Sequence, residues 1–280
     1  MAGVVLRVRR FKQVDVFTDQ PFRGNPVAVV IDAEGLDTEA MQRIARWTNL
    51  SETTFLLKSS VADYRLRIFT PLQELPFAGH PTLGSAHAAL ESGFVAKKQG
   101  LKQECLAGVM DLTVDGAEIF VRGPQPKLAE IDSARLARTL GVAAKGFLRV
   151  DVGAVWVIAE VASPDALAKA KPDMTALADA SRLLDVAGVT LFSASGKSEI
   201  HVRSFAPAHA IPEDPVCGTG NLSVAAYLRH TGQLERFGSR YLARQGMQLG
   251  RAGRVSVRVE SDGIRIGGPS VTCIDGSLRA

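Results

Sequence analysis

The chain has 280 residues, 46% of them hydrophobic and 22% charged, and its 33 basic and 29 acidic side chains leave a net charge of +4. That length builds one large domain or two ordinary ones around a real core, while a weak, dispersed positive charge with only 6% aromatics argues against a nucleic-acid partner. No apolar run approaches the roughly 18 residues of a membrane span, Met1–Arg10 lacks the continuous apolar block of a secretory signal, and Cys105, Cys217 and Cys273 are too scattered for a disulfide framework or a zinc site, so a cytoplasmic, reducing compartment is expected.

The elements read in order as follows. The basic stretch Arg7–Lys12 is the solvated face of a first strand, which continues through Gln13–Thr18. A second apolar strand covers Pro26–Ile31, and a helix over Asp37–Trp47 places Met41, Ile44 and Ala45 at helical spacing. Strands follow over Thr53–Leu57 and Tyr64–Phe69, then a Pro/Gly-rich turn and a helix over Pro81–Ser92 that stops at Gly93. Gly108–Val114 and Ala117–Gly123 close the first half. The second half repeats this order: strands Arg149–Gly153 and Val155–Val161, helix Asp173–Leu184, strands Val189–Ala194 and Glu199–Phe205, and a helix Thr219–Thr231 that stops at Gly232. The strands Arg254–Glu260, Gly263–Gly267 and Ser270–Asp275 follow. Glycine just past the last turn is a common helix stop.

The echo extends to residue identity. Val14-Asp15-Val16 recurs as Val150-Asp151-Val152, Thr54 as Thr190, and Arg67, Phe69 and Pro71 as Arg203, Phe205 and Pro207, all 136 positions apart. Past the prolines the match shifts by about three, aligning Ala78-Gly79-His80 with Cys217-Gly218-Thr219. A period this long means two copies of a domain-sized unit. The expected lobes are 1–125, completed by the terminal strand 270–280, and 126–269. The helices starting at Pro81 and Thr219 are apolar or small nearly all round, and a helix without a polar face is buried on every side. The expected fold is therefore α+β: two pseudo-symmetric lobes, each a curled, mostly antiparallel sheet wrapped around one central helix.

A buried helix still has a start whose first N–H groups lack intrahelical partners and favour anions. The turns Leu75–Thr82 and Glu213–Asn221 lead into the two helices, and Pro81 suits a first helical position. If both starts face one interdomain cleft, a small carboxylate fits there. The acid–base candidates are Glu52, His80, Asp214, Cys217 and Thr219. Each has a plainer reading: Glu52 as a turn carboxylate, His80 as a helix cap, Asp214 before Pro215 as a turn signal, Cys217 as a space-filler. His87 reads as a satisfied core histidine, and His201, His209 and His230 form no constellation. No metal motif, dinucleotide fingerprint, nucleophile elbow or P-loop is present, which leaves cofactor-free chemistry by side-chain acids and bases.

Five motifs then carry a resemblance: Val14-Asp-Val-Phe-Thr with Phe22-Arg-Gly-Asn-Pro26, Asn49-Leu-Ser-Glu-Thr-Thr-Phe55, Phe69-Thr-Pro71, Phe77-Ala-Gly-His-Pro-Thr82 and Glu213-Asp-Pro-Val-Cys-Gly-Thr219. Over essentially the whole chain the sequence resembles the phenazine-biosynthesis PhzF-like proteins. The resemblance implies the diaminopimelate-epimerase-like fold, often as a homodimer, and an isomerase that shuttles a proton between carbons of a small unsaturated carboxylic acid. Carried over residue by residue, it makes Glu52 the acid–base and gives His80 and Asp214 the task of binding and polarising substrate. Thr219 stands where serine is common, and Gly79 and Gly218 supply backbone contacts.

Related racemases use one cysteine per lobe. Cys217 has that look, but its counterpart is Ala78, so a two-thiol mechanism lacks a partner; a mixed Glu52/Cys217 epimerase stays open, as does a non-catalytic small-molecule binding protein of the same fold.

Overall fold

The computed structural model describes residues 6–280; Met1–Val5, and with them the start of the Met1–Arg10 stretch, lie outside the described residues. The chain divides into two compact units, one reaching Val121 and including Gly268–Ala280, the other Arg122–Gly267. The first unit contains β1 (Val8–Val16), β2 (Asn25–Val30), α1 (Thr38–Thr48), β3 (Thr53–Leu57), β4 (Tyr64–Phe69), β5 (Glu74–Leu75), α2 (Gly79–Glu91), β6 (Gly100–Cys105), β7 (Gly108–Asp115) and β8 (Glu118–Arg122). The second continues with β9 (Lys127–Ala129), α3 (Ala134–Thr139), β10 (Ala144–Asp151), β11 (Val155–Val161), α4 (Pro164–Ala168), α5 (Met174–Leu183), β12 (Gly188–Ala194), β13 (Glu199–Ala206) and β14 (Ile211–Asp214). It ends with α6 (Gly218–His230), α7 (Leu234–Phe237), β15 (Arg240–Gln245) and β16 (Gly253–Glu260), and β17 (Gly263–Arg279) begins in the second unit and passes into the first at Gly268. Among the described residues no helix is long and apolar enough to cross a membrane.

Strand pairing repeats with the sequence. β2 runs parallel to β3 with Val29 beside Thr54, and β11 runs parallel to β12 with Ile158 beside Thr190. β3–β4 and β12–β13 are antiparallel, while β4–β6 and β13–β15 are parallel. Each sheet wraps its central helix: α2 packs on β1 to β4, and α6 on β10, β11, β12 and β16. Both helices are buried through Gly79–Ala86 and Gly220–Leu228 respectively, as small and apolar residues on every face require. Gly93 and Gly232, at φ 70° and 71°, take the left-handed conformation that ends each helix. The outer helices α1 and α5 start on Asp37 and Asp173, whose carboxylates accept the Ala40 and Ala176 N–H groups and so cap otherwise orphaned amides.

The matched arginines do the same work twice. Arg67 clasps Glu74 through Nε and one terminal nitrogen at 2.7 and 2.6 Å, and Arg203 clasps Glu213 at 2.8 Å through both. Each guanidinium also lies over the next aromatic ring, 5.1 Å from the Phe69 centroid and 4.9 Å from that of Phe205.

Three readings of the sequence need correction. Pro81 is the third residue of α2, not the first: Ala78 is the cap, and Pro81 still sits where the helix needs no N–H. The strands expected at Gly263–Gly267 and Ser270–Asp275 are one continuous β17. It pairs with β16 up to Gly267 and with β1 from Ser270 onward, so Pro269 falls where the partner changes. β6 and β15 lie outside the strands the sequence pattern predicts.

Candidate functional site

In the first unit, the turn between α1 and β3 carries Glu52, and the first turn of α2 carries His80. Glu52 is tied into the sheet by its own backbone, its carbonyl accepting the Ala28 N–H at 3.3 Å. His80 Nε2 comes within 3.2 Å of Glu52 Oε2, with both side chains largely shielded from solvent. The approach is close without being a well-aligned hydrogen bond. Burial pushes the Glu52 carboxyl up from 4.5 to about 7, against a smaller opposing effect from a hydrogen bond to Ser51. At neutral pH such a group can give or take a proton.

On the other side of the imidazole, Nδ1 lies 3.4 Å from Asn25 Nδ2. An amide NH2 donates, so Nδ1 accepts and the proton of the neutral ring resides on Nε2, the nitrogen nearest Glu52. Asn25 is held in place because Gly24 before it donates its N–H to the buried carboxylate of Asp15 at 3.0 Å. A side chain at Gly24 would run into the carbonyl of Val16, so the close turn requires glycine. The motif containing Asn25 is visible in the sequence, but the sequence contains no signal that it meets His80. His80 does not cap the helix, because it lies inside it.

In the second unit, Asp214, Cys217, Gly218 and Thr219 come together at the start of α6. Asp214 Oδ1 accepts the Val216 N–H at 3.0 Å and so folds the turn. Cys217 is the cap, its Sγ accepting the Gly220 N–H at 3.3 Å. Gln245 of β15 is fully buried beneath this turn. Its Oε1 accepts from the Cys217 N–H at 3.1 Å and from Asn221 at 3.0 Å, and its Nε2 donates to the Asp214 carbonyl at 3.0 Å. Burial, reinforced by the negative charge of Asp214, pushes the Cys217 thiol well above its ordinary range. It is thus a thiol, not a thiolate, and a poor base. Ala78, at the matching cap of α2, has no ionisable group and makes no side-chain cap bond. Trp156 of β11, whose indole N–H donates to Thr219 Oγ1 at 3.0 Å, and Gln245 belong to this site, and neither carries a sequence signal that points to it.

His87 meets Thr272 at 3.2 Å, as a satisfied histidine should. A cavity of about 410 Å³ in the first unit is lined by Arg7, Arg9, Leu36 and Arg43 among others and shares no residue with either helix start.

The chain is 35% identical to trans-2,3-dihydro-3-hydroxyanthranilate isomerase of Pseudomonas aeruginosa, over 95% of both chains. It is 39% identical to the protein named Antisense-enhancing sequence 1 of Schizosaccharomyces pombe, over 95% of this chain and 97% of that one. The crystal structure of a PhzF-family phenazine biosynthesis protein from Bacillus anthracis superposes with a TM-score of 0.85 at 27% identity, covering 97% of this chain and 99% of the other. Residues 14–276 match the family pattern as a whole, and the chain belongs to the phenazine biosynthesis-like (PhzC-PhzF) protein family.

Proposed function

We propose that this isomerase moves a proton between two carbons of a small unsaturated carboxylic acid, without a cofactor, using Glu52 as the one acid–base. The observation that carries the reading is the buried Glu52 carboxyl, raised to about 7 and set 3.2 Å from His80 Nε2 in the first turn of a buried helix. A general acid–base works best when its pKa lies near the working pH. In the proposed reaction the Glu52 carboxylate takes a proton from a carbon next to the conjugated system. The electron pair left behind spreads into the π-system and the substrate carboxylate, and protonated Glu52 returns the proton to a second carbon. Bonds and charge balance with no other reactant.

Each helix start is read as an anion-binding end in its own unit: at α2 the Gly79 amide with His80, and at α6 the Gly218 amide and the Thr219 hydroxyl with Asp214, would hold and polarise anionic oxygens of a ligand. The substrate class is that of the Pseudomonas relative's substrate, a dihydro-hydroxyanthranilate. The working form is read as a homodimer, which a mass measurement in solution tests.

A mixed Glu52/Cys217 epimerase is weaker because the Cys217 thiol holds its proton. The deciding experiment incubates the protein with trans-2,3-dihydro-3-hydroxyanthranilate in deuterated water and follows deuterium at carbon. Turnover with a shifted double bond is expected for the wild type and its loss for Glu52→Gln with the fold intact. Near-normal rates in that variant would remove Glu52 from the mechanism. Binding of the ligand without any exchange by the wild type would favour a binding protein.

A further inference from the structure

Trp156 in β11 is 4% exposed, and its indole Nε1–H donates to Thr219 Oγ1 at 3.0 Å across 63 residues of sequence. An indole nitrogen can only donate, so the Thr219 oxygen accepts there and the hydroxyl's own proton must point elsewhere. Its neighbour is Cys217 Sγ, 3.6 Å away. Either atom of that pair could donate, so it is the indole that sets the polarity at Thr219: the hydroxyl oxygen accepts from Trp156 and its proton is left to donate. At 3.6 Å to a sulfur the Thr219 proton is weakly held. A carboxylate oxygen arriving at the start of α6 is a far stronger acceptor and would take it.

The geometry points to Trp156 as a positioning residue for carboxylate recognition: it occupies the acceptor side of Thr219 and so leaves that hydroxyl as a donor to an anionic ligand. Without the indole the hydroxyl is free to rotate, so its donor orientation toward the incoming anion is no longer preset and must be fixed on binding. The inference rests on the proposed reading that the ligand carries a carboxylate, and it makes no use of Glu52.

The test is calorimetric titration of the full chain with anthranilate at pH 7, for the wild type, Trp156→Phe, Thr219→Val and the double variant. Trp156→Phe should weaken binding by about 3- to 10-fold, the scale of one hydrogen bond, and Thr219→Val by at least as much. Because Trp156 acts through Thr219, the double variant should bind no more weakly than Thr219→Val, a coupling that a packing role alone would not produce. Unchanged binding in Trp156→Phe, additive losses in the double variant, or no binding of anthranilate by the wild type would each overturn the assignment. A second readout needs no ligand. The chain has two tryptophans, Trp47 at 79% exposure and the buried Trp156, so their indole N–H signals in a nitrogen-resolved NMR spectrum are separable. Thr219→Val should move the Trp156 signal and speed its exchange with water, and an unmoved signal refutes the hydrogen bond. Proton exchange by Glu52→Gln bears only on the isomerase reading, so the two failures are distinguishable.

Discussion

His80 Nε2 stands 3.2 Å from Glu52 Oε2, and Asn25 approaches the opposite ring nitrogen. The histidine thus faces the carboxyl with a nitrogen that carries a proton, while burial holds that carboxyl near neutrality. A neutral imidazole can hydrogen-bond the carboxylate as it forms without lowering its basicity as much as a full positive charge would.

This arrangement makes stability depend on pH in a definite direction. Below pH 4.5 the Glu52 carboxyl is protonated in both folded and unfolded chains, and nothing is lost. Between 4.5 and about 7 the unfolded chain releases the proton first, so the native state loses stability as pH rises; above about 7 the loss is constant. Glu52→Gln should match the wild type at low pH and exceed it by up to about 3 kcal/mol above pH 7. Urea unfolding at pH 4.5, 6 and 8 measures the difference, and a gap that shrinks with pH contradicts it. Over the same range the wild-type kcat/KM should rise with an apparent pKa near 7, because the first step needs the carboxylate.

Cys217 serves the helix start as a thiol. Cys217→Ala should leave proton exchange within about threefold of wild type while costing about 1 kcal/mol, the usual value of a lost cap. Cys217→Ser, which keeps an acceptor for the Gly220 N–H, should cost less. Loss of exchange in Cys217→Ala with the fold retained would return the cysteine to the chemistry.

The two arginine clasps differ in depth. The Arg203 and Glu213 side chains are each 8% exposed, against 15% and 17% for Arg67 and Glu74. Arg203 also donates to the carbonyls of Leu167 and Ala170 at 3.0 and 2.9 Å. Arg203→Met strands the Glu213 carboxylate and several acceptors, and should cost about 3–5 kcal/mol. Arg67→Met should cost measurably less. Equal losses in denaturant unfolding would show that burial does not set the scale.

Gly84 marks a close approach of α2 to its sheet. A methyl there would lie 2.5 Å from Val27 Cγ1 and 2.8 Å from Val16 Cγ2, and β-branched side chains have little freedom to withdraw. Gly84→Ala should destabilise by about 1–3 kcal/mol despite the better helix propensity of alanine. A gain in melting temperature would mean that the sheet yields more readily than this packing suggests.

The amino-acid sequence alone determined the duplicated architecture, because burial leaves a mark on residue type. Two helices without a polar face can only be enclosed, and Arg67 and Phe69 recur as Arg203 and Phe205 because each pair does the same job in its own sheet. The sequence could not reveal β6 and β15. Each places a fully buried glutamine, Gln103 or Gln245, where a strand pattern expects an apolar residue. Those amides tie down the central helices, Gln103 by donating to Thr82 at 3.2 Å and Gln245 through the Cys217 turn. Tertiary structure alone decided which polar groups meet: Asn25 with His80, Trp156 with Thr219, His80 with Glu52. A hydrogen bond between residues far apart in sequence imposes no period on the chain, and a carboxyl's proton affinity is set by what excludes water from it, which exists only once the sheet has closed around its helix.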